Sequence, residues 1–211
     1  MISEPIKNAV IFGCEGPKLT EVEFKFFKET LPFGFILFSR NIVNAKQVNE
    51  LCQSLRDSVG WYAPILIDQE GGRVQRIKPP LAADRLPPLD EAQKAGPNAK
   101  SVFRVRFSAI ANELLSLGID FNCAPVLDIA RPSTHRFLRN RCYGLNMSDV
   151  ISLGRIAYDA LKSSGIFPII KHMPGHGLAT HDSHFELPVV KASKKELFAN
   201  DFAVFKAFCD A

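Results

Sequence analysis

Two hydrophobic patterns alternate along the chain. Short, almost uninterrupted apolar runs occur at AVIFGCEG (9–16), GFILFSRN (34–41), PILIDQEGG (64–72), IDFNCAPVLDI (119–129) and IFPIIKHMPG (166–175). Runs of this kind suit strands buried on both faces, as in a parallel sheet. Longer stretches with helical periodicity lie between them. Thr20 with Glu23 predicts a capping box opening a helix through about Glu29. Asn44 predicts the cap of a second helix, with Val48, Leu51, Leu55 and Val59 on one face. Further helices are predicted over about 98–117 and 147–164. A fifth opens at Ser193 with Glu196 and carries Leu197, Phe202, Phe205 and Phe208. The segment 79–97, PPLAADRLPPLDEAQKAGP, holds five prolines and reads as a long ordered loop.

A βα unit repeated five times means a (β/α)₈ barrel or an open doubly wound sheet. Ligands bind at the carboxyl ends of the strands in both. The polar residues collect there: Glu15, Arg40-Asn41, Asp68-Gln69-Glu70, Asp128 and Lys171-His172. A barrel needs eight units, and the chain stops in the helix after its fifth strand. Five strands would complete an open sheet. Strand one, however, is followed by a lone Gly16-Pro17 and not by a Gly-rich phosphate loop.

Composition narrows the classes. The chain has 211 residues, 46% of them hydrophobic and 23% charged, an ordinary globular balance. Net charge is +4 and no Lys/Arg run exceeds Lys194-Lys195, which argues against nucleic acid and membrane partners. No basic flank leads into a long apolar run at the N-terminus, and no apolar run approaches a membrane span, so the expected setting is cytoplasmic. The cysteines (Cys14, Cys52, Cys123, Cys142, Cys209) are odd in number and lack a C-x-x-C, which predicts reduced, mostly buried thiols.

The candidate chemistry lies in two segments. KHMPGHGLATHDSHFELP (171–188) holds four of the five histidines: His172, His176, His181 and His184. Three readings are open. With Asp182 the histidines could hold a metal, but Pro174, Gly175 and Gly177 break any helix that would align His172 with His176, and the spacing matches no closed zinc pattern. They could simply decorate a loop. Or Asp182-Ser183-His184 could move protons, because residues i and i+2 of an extended segment project to one side and a carboxylate beside an imidazole fixes its tautomer. In IDQEGGRVQR (67–76), Asp68 can accept sugar hydroxyls, Arg76 can donate in a fork, and Gly71-Gly72 let backbone approach a ligand. A tight turn closed by an Asp–Arg or Glu–Arg pair explains the same residues.

IDQEGGRVQR followed by KHMPGHG and D-S-H resembles the glycoside hydrolase family 3 β-N-acetylglucosaminidases, and FGFILFSRN and IDFNCAPVLDI agree in content and order. The resemblance implies a (β/α)₈ barrel, here truncated after about five units, with residues 1–211 as one incomplete domain. It implies a bacterial cytoplasmic enzyme that removes β-linked N-acetylglucosamine from cell-wall fragments during peptidoglycan recycling, monomeric when complete. Carried over by residue, Asp68, Arg76, Lys171 and His172 would bind the sugar, as would Arg141 in RNRCYG. The family usually has Gly and an acidic residue before that Arg, where this chain has Arg139-Asn140. His184 would be the general acid/base, oriented by Asp182. The resemblance assigns no role to His176 and His181, which are left to shape the loop or tune its charge.

A retaining glycosidase also needs a carboxylate nucleophile. The resemblance puts it in an S-D-D motif near strand seven, and no S-D-D occurs in these 211 residues. The expectation is therefore a chain with binding residues and acid/base but no nucleophile, and Asp128 is the one internal carboxylate to weigh as a substitute. Such a chain is a truncated enzyme, a piece completed by another chain, or a relative that binds sugar without cutting it. The retaining course calls for no metal or cofactor.

Overall fold

The computed structural model describes residues 7–181 and 185–209. In chain order it contains β1 (Asn8–Phe12), α1 (Glu21–Thr30), β2 (Pro32–Leu37), α2 (Ala45–Val59), β3 (Ile65–Ile67), β4 (Gln69–Gly71), β5 (Val74–Gln75), α3 (Pro88–Ala95) and α4 (Ala99–Ser116). β6 (Phe121–Asn122), α5 (Arg136–Arg139), α6 (Met147–Ser163), β7 (Phe167–Pro168), α7 (Lys194–Ala199) and α8 (Asp201–Cys209) follow.

Local chemistry sets the helix starts. Glu23 N donates to the Thr20 hydroxyl at 3.2 Å, and Thr20 N donates to the Glu23 carboxylate at 3.0 Å, which closes the capping box. Asn44 accepts from Gln47 N, and Ser193 from Glu196 N. The predicted face of α2 is buried: Val48, Leu51, Leu55 and Val59 all point into the core.

Five strands form one parallel sheet in the order β1-β2-β3-β6-β7. Each strand is flanked by its neighbours in chain order. A doubly wound sheet reverses order at a switch point, and this one does not, so it is an arc of a barrel that does not close on itself. The core lies between the sheet and α2, α4 and α6, with Phe35, Leu37, Ile65 and Ile67 meeting Phe103, Phe107 and Leu114. A second cluster of Leu127, Ile129, Val150, Val204, Phe205 and Phe208 seats α8 on α6. Burying each such side chain stabilises by roughly 1.5–3 kcal/mol.

The structure corrects several expectations. The strands are shorter in their ladders than the apolar runs. Pro125 and Pro168 lack the N–H a ladder needs, so β6 and β7 pair over two residues each. Their extensions stay in contact, with Leu127 N donating to Lys171 O at 2.7 Å. β1 is exposed along much of its length and is not a two-faced buried strand. The proline-rich segment holds α3, with Pro88 in its first turn, Asp90 and Glu91 beside it and Lys94 in its last turn. The fifth helix is two helices, broken at Asn200 where Asp201 turns to meet Arg131 at 2.7 and 3.0 Å. All five cysteines are free thiols: Cys14, Cys52 and Cys142 are buried, Cys123 partly so, and Cys209 exposed.

Candidate active site

The carboxyl ends of β3, β6 and β7 converge on one charged cluster. Asp68 directly follows β3, and the chain then makes a two-stranded hairpin, β4 with β5, across the barrel mouth. Gly71 and Gly72 turn this hairpin with φ of 95° and 62°, a backbone region that favours glycine. Buried amides brace it. Asn122 on β6 and the Gln69 backbone exchange two hydrogen bonds of 3.0 and 3.1 Å, and the Gln69 side chain accepts from Arg76 N and Ile77 N. Asp68 and Arg76 are thereby held at opposite ends of a rigid ribbon.

Their side chains meet, with Arg76 Nη2 donating to Asp68 Oδ2 at 3.1 Å. Lys171, beyond β7, donates to Asp68 Oδ1 at 2.7 Å and lies 2.6 Å from Glu70 Oε1. Arg141, beyond α5, grips Glu70 in a fork, with Nε at 2.9 Å and Nη2 at 2.8 Å. Arg106 from α4 holds the Glu70 carbonyl at 2.6 Å. His172 sits between Arg141 and Asp128, and the second Asp128 oxygen accepts from His176 N at 2.6 Å.

Burial divides the cluster. The Glu70 and Asp128 side chains are 0% exposed, which bars them from touching a ligand. Asp68 at 20%, Arg76 at 28%, Lys171 at 13% and His172 at 34% look into an open cleft of about 550 Å³. Cys123, Phe137, Ile169 and His176 also line it. Burial works to raise the Asp68 carboxyl, but Lys171 and Arg76 outweigh it and hold the group below the usual carboxylate range. Glu70 follows the same balance: burial raises it, and Arg141 and Lys171 bring it below the ordinary value. Burial, with the Asp68 charge beside it, pushes the Cys123 thiol up to about 11, so Cys123 is a neutral wall of the cleft. Ionised acceptors and forked donors on one rim make a surface for a neutral polyol.

The tight-turn and ligand readings of IDQEGGRVQR meet in the Asp68–Arg76 pair, which closes the turn and also lines the cleft, whereas Glu70 pairs outside the segment, with Arg141. The structure brings Asp68, Arg76, Arg141, Lys171 and His172 together in that cleft. Asp182 and His184 lie outside the described residues. Among the described residues, no group of three or more His, Cys, Asp or Glu side chains is arranged to hold a metal. Asp128 is no substitute nucleophile: it is buried and both its oxygens are engaged. Sequence reasoning missed Glu70 as the hub of the cations and Asp128 as the partner of His172. Their one signal was a carboxylate at the end of an apolar strand.

Residues 10–211 match the model of the glycosyl hydrolase family 3 N-terminal domain. The chain belongs to glycosyl hydrolase family 3. A β-hexosaminidase of Psychromonas ingrahamii is 34% identical over 200 residues, covering 93% of this chain and 58% of its own length. This family 3 chain therefore spans little more than half of that relative. Native NagZ from Neisseria gonorrhoeae superposes with a TM-score of 0.88 at 29% identity, over 96% of this chain and 60% of its own. The same NagZ is known in complex with N-trifluoroacetyl-D-glucosamine, with equal likeness to this chain. The likeness carries the fold: the open arc is the first part of the barrel-like domain of family 3. No helix among the described residues is long and apolar enough to cross a membrane.

Proposed function

We propose that the protein serves the hydrolysis of terminal β-linked N-acetylglucosamine from peptidoglycan fragments, in the cytoplasm, as part of cell-wall recycling. The observation that carries this reading is the cleft built by Asp68, Arg76, Arg141, Lys171 and His172 in a chain whose family relatives are named β-hexosaminidase. Asp68 and Lys171 bind sugar hydroxyls, Arg76 and Arg141 supply forked donors, and His172 lines the same rim. His184, oriented by Asp182, protonates the leaving oxygen and later takes a proton from water. The partner is a small sugar, and neither nucleic acid nor membrane is required. On this reading residues 1–211 are an incomplete part of a single family 3 barrel domain, which is monomeric in its complete form.

The attacking carboxylate of a retaining course is not drawn from this cluster. Asp68, Glu70 and Asp128 are each committed to cations or N–H groups. Sugar binding is thus separable from turnover, and binding is the decisive measurement. Calorimetric titration with N-acetylglucosamine is expected to saturate, with Asp68→Asn weakening it at least tenfold. An assay of nitrophenol release from the aryl N-acetyl-β-glucosaminide accompanies it. Any turnover by the wild type should fall about 10²–10⁴-fold in His184→Ala. No saturable binding, with wild type and Asp68→Asn alike, would reject the sugar reading.

A further inference from the structure

Glu70, Arg141, His172 and Asp128 form a continuous line under the cleft. Arg141 Nη2 lies 2.8 Å from Glu70 Oε1 and 3.2 Å from His172 Nε2, and His172 Nδ1 lies 2.6 Å from Asp128 Oδ2. A guanidinium is always charged and has only donors. The His172 nitrogen facing it must accept, so Nε2 carries no proton. The ring proton then sits on Nδ1 and points at Asp128. A proton on Nε2 would instead be aimed at the Arg141 N–H.

The other charged neighbours agree. Lys171, next in sequence, is turned to Asp68 and Glu70. His176 stands with its ring 6.0 Å from that of His172, and its backbone N–H fills the remaining Asp128 oxygen.

We propose that Asp128 is a positioning residue that fixes His172 in the Nδ1–H tautomer, so that the ring shows an acceptor and not a donor to Arg141 and to the cleft. A ligand hydroxyl that takes the place of the Arg141 N–H at His172 Nε2 must therefore donate its proton. That consequence rests on the sugar-site reading. The tautomer does not, because it belongs to the unliganded chain.

The Asp128→Asn variant has a defined outcome. The His176 N–H keeps the amide oxygen on its own side, which turns the amide NH₂ toward His172 Nδ1. A donor there forces the ring proton to Nε2, as an Asn does in place of the buried Asp of a catalytic triad. The test is long-range ¹H–¹⁵N correlation NMR of the labelled chain at pH 8, with His172→Gln to assign the ring. Wild type is expected to show a protonated Nδ1 and bare Nε2, and Asp128→Asn the reverse, with weaker N-acetylglucosamine binding. A wild-type ring with its proton on Nε2, on both nitrogens or exchanging between them would overturn the proposal. So would a folded Asp128→Asn chain with the wild-type tautomer. The stated tautomers without any saturable sugar binding would overturn the sugar reading alone.

Discussion

The Asp68 carboxylate and the Lys171 ammonium stand 103 residues apart in sequence and 2.7 Å apart in space. Their contact ties the end of β3 to the loop beyond β7, reaching past β6 between them. Both groups face the cleft, so on the proposed sugar reading each is shared between the protein and its ligand. Replacing Lys171 by Met removes a charged donor while Arg76 still holds Asp68 and Arg141 still holds Glu70. A charge-assisted hydrogen bond contributes about 1.5–3 kcal/mol, so N-acetylglucosamine should bind roughly 10- to 100-fold more weakly. Titration calorimetry checks this, and unchanged affinity would remove Lys171 from the sugar site.

Glu70 acts differently, because no ligand can reach it. Glu70→Gln leaves Arg141 buried beside a neutral amide and takes a counter-charge from Lys171. Breaking a buried pair by removing one partner costs about 3–5 kcal/mol. In a domain of this size the melting temperature should drop by roughly 10 °C. Differential scanning calorimetry reads it directly, and a drop of a degree or two would show that the pair is dispensable.

The same carboxylates set the acid limit of the fold. Asp68 and Glu70 ionise more readily folded than unfolded, their folded values lying below 3.8 and 4.5 respectively. The unfolded chain therefore takes up their protons first as the pH falls. Their stabilisation is full above about pH 5, and drains as the pH drops through the folded ionisation range. Glu23 adds to the effect in the same direction: burial raises its carboxyl, and the Thr20 and Glu15 N–H groups more than offset that. Urea midpoints should stay level from pH 7 to 5 on this account and fall toward pH 3. The Asp68→Asn, Glu70→Gln double variant should show a shallower fall, and an identical acid profile would refute the assignment.

Gly71 tests the hairpin. Its φ of 95° strains any other residue, and a Cβ there would overlap the Arg106 guanidinium that holds the Glu70 carbonyl. Gly71→Ala should destabilise by about 2–3 kcal/mol and weaken sugar binding as well, because the ribbon carries both Asp68 and Arg76. By contrast Gly60→Ala meets nothing within 4 Å and is expected to cost only its backbone strain, without any change in affinity.

What could be read from the chain was local. Thr20, Asn44 and Ser193 announce their helices because a cap and the backbone N–H that donates to it lie three residues apart. The strand ends were readable because apolar runs turn polar at the sheet's edge, and this put Asp68, Glu70 and Lys171 on one rim. The fork from Arg141 to Glu70 spans 71 residues, and no spacing encodes it. Prolines hid α3, although Pro88 in the first turn followed by Asp90 and Glu91 is a helix start. The break at Asn200 answers to Arg131, some 70 residues away, and leaves no mark on the pattern of Leu197, Phe202 and Phe205.

The spread of the charged cluster along the chain has a consequence during biosynthesis. Asp68 and Glu70 leave the ribosome long before Lys171, and at about 5–20 residues per second the wait is on the order of 5–20 s. Throughout that interval Glu70, destined for complete burial, lacks one of its two cations, and Arg141 arrives only part-way. The nascent β3 end must stay hydrated until both are made. Docking of β7 is then what brings Lys171, the last of these cations, to the rim.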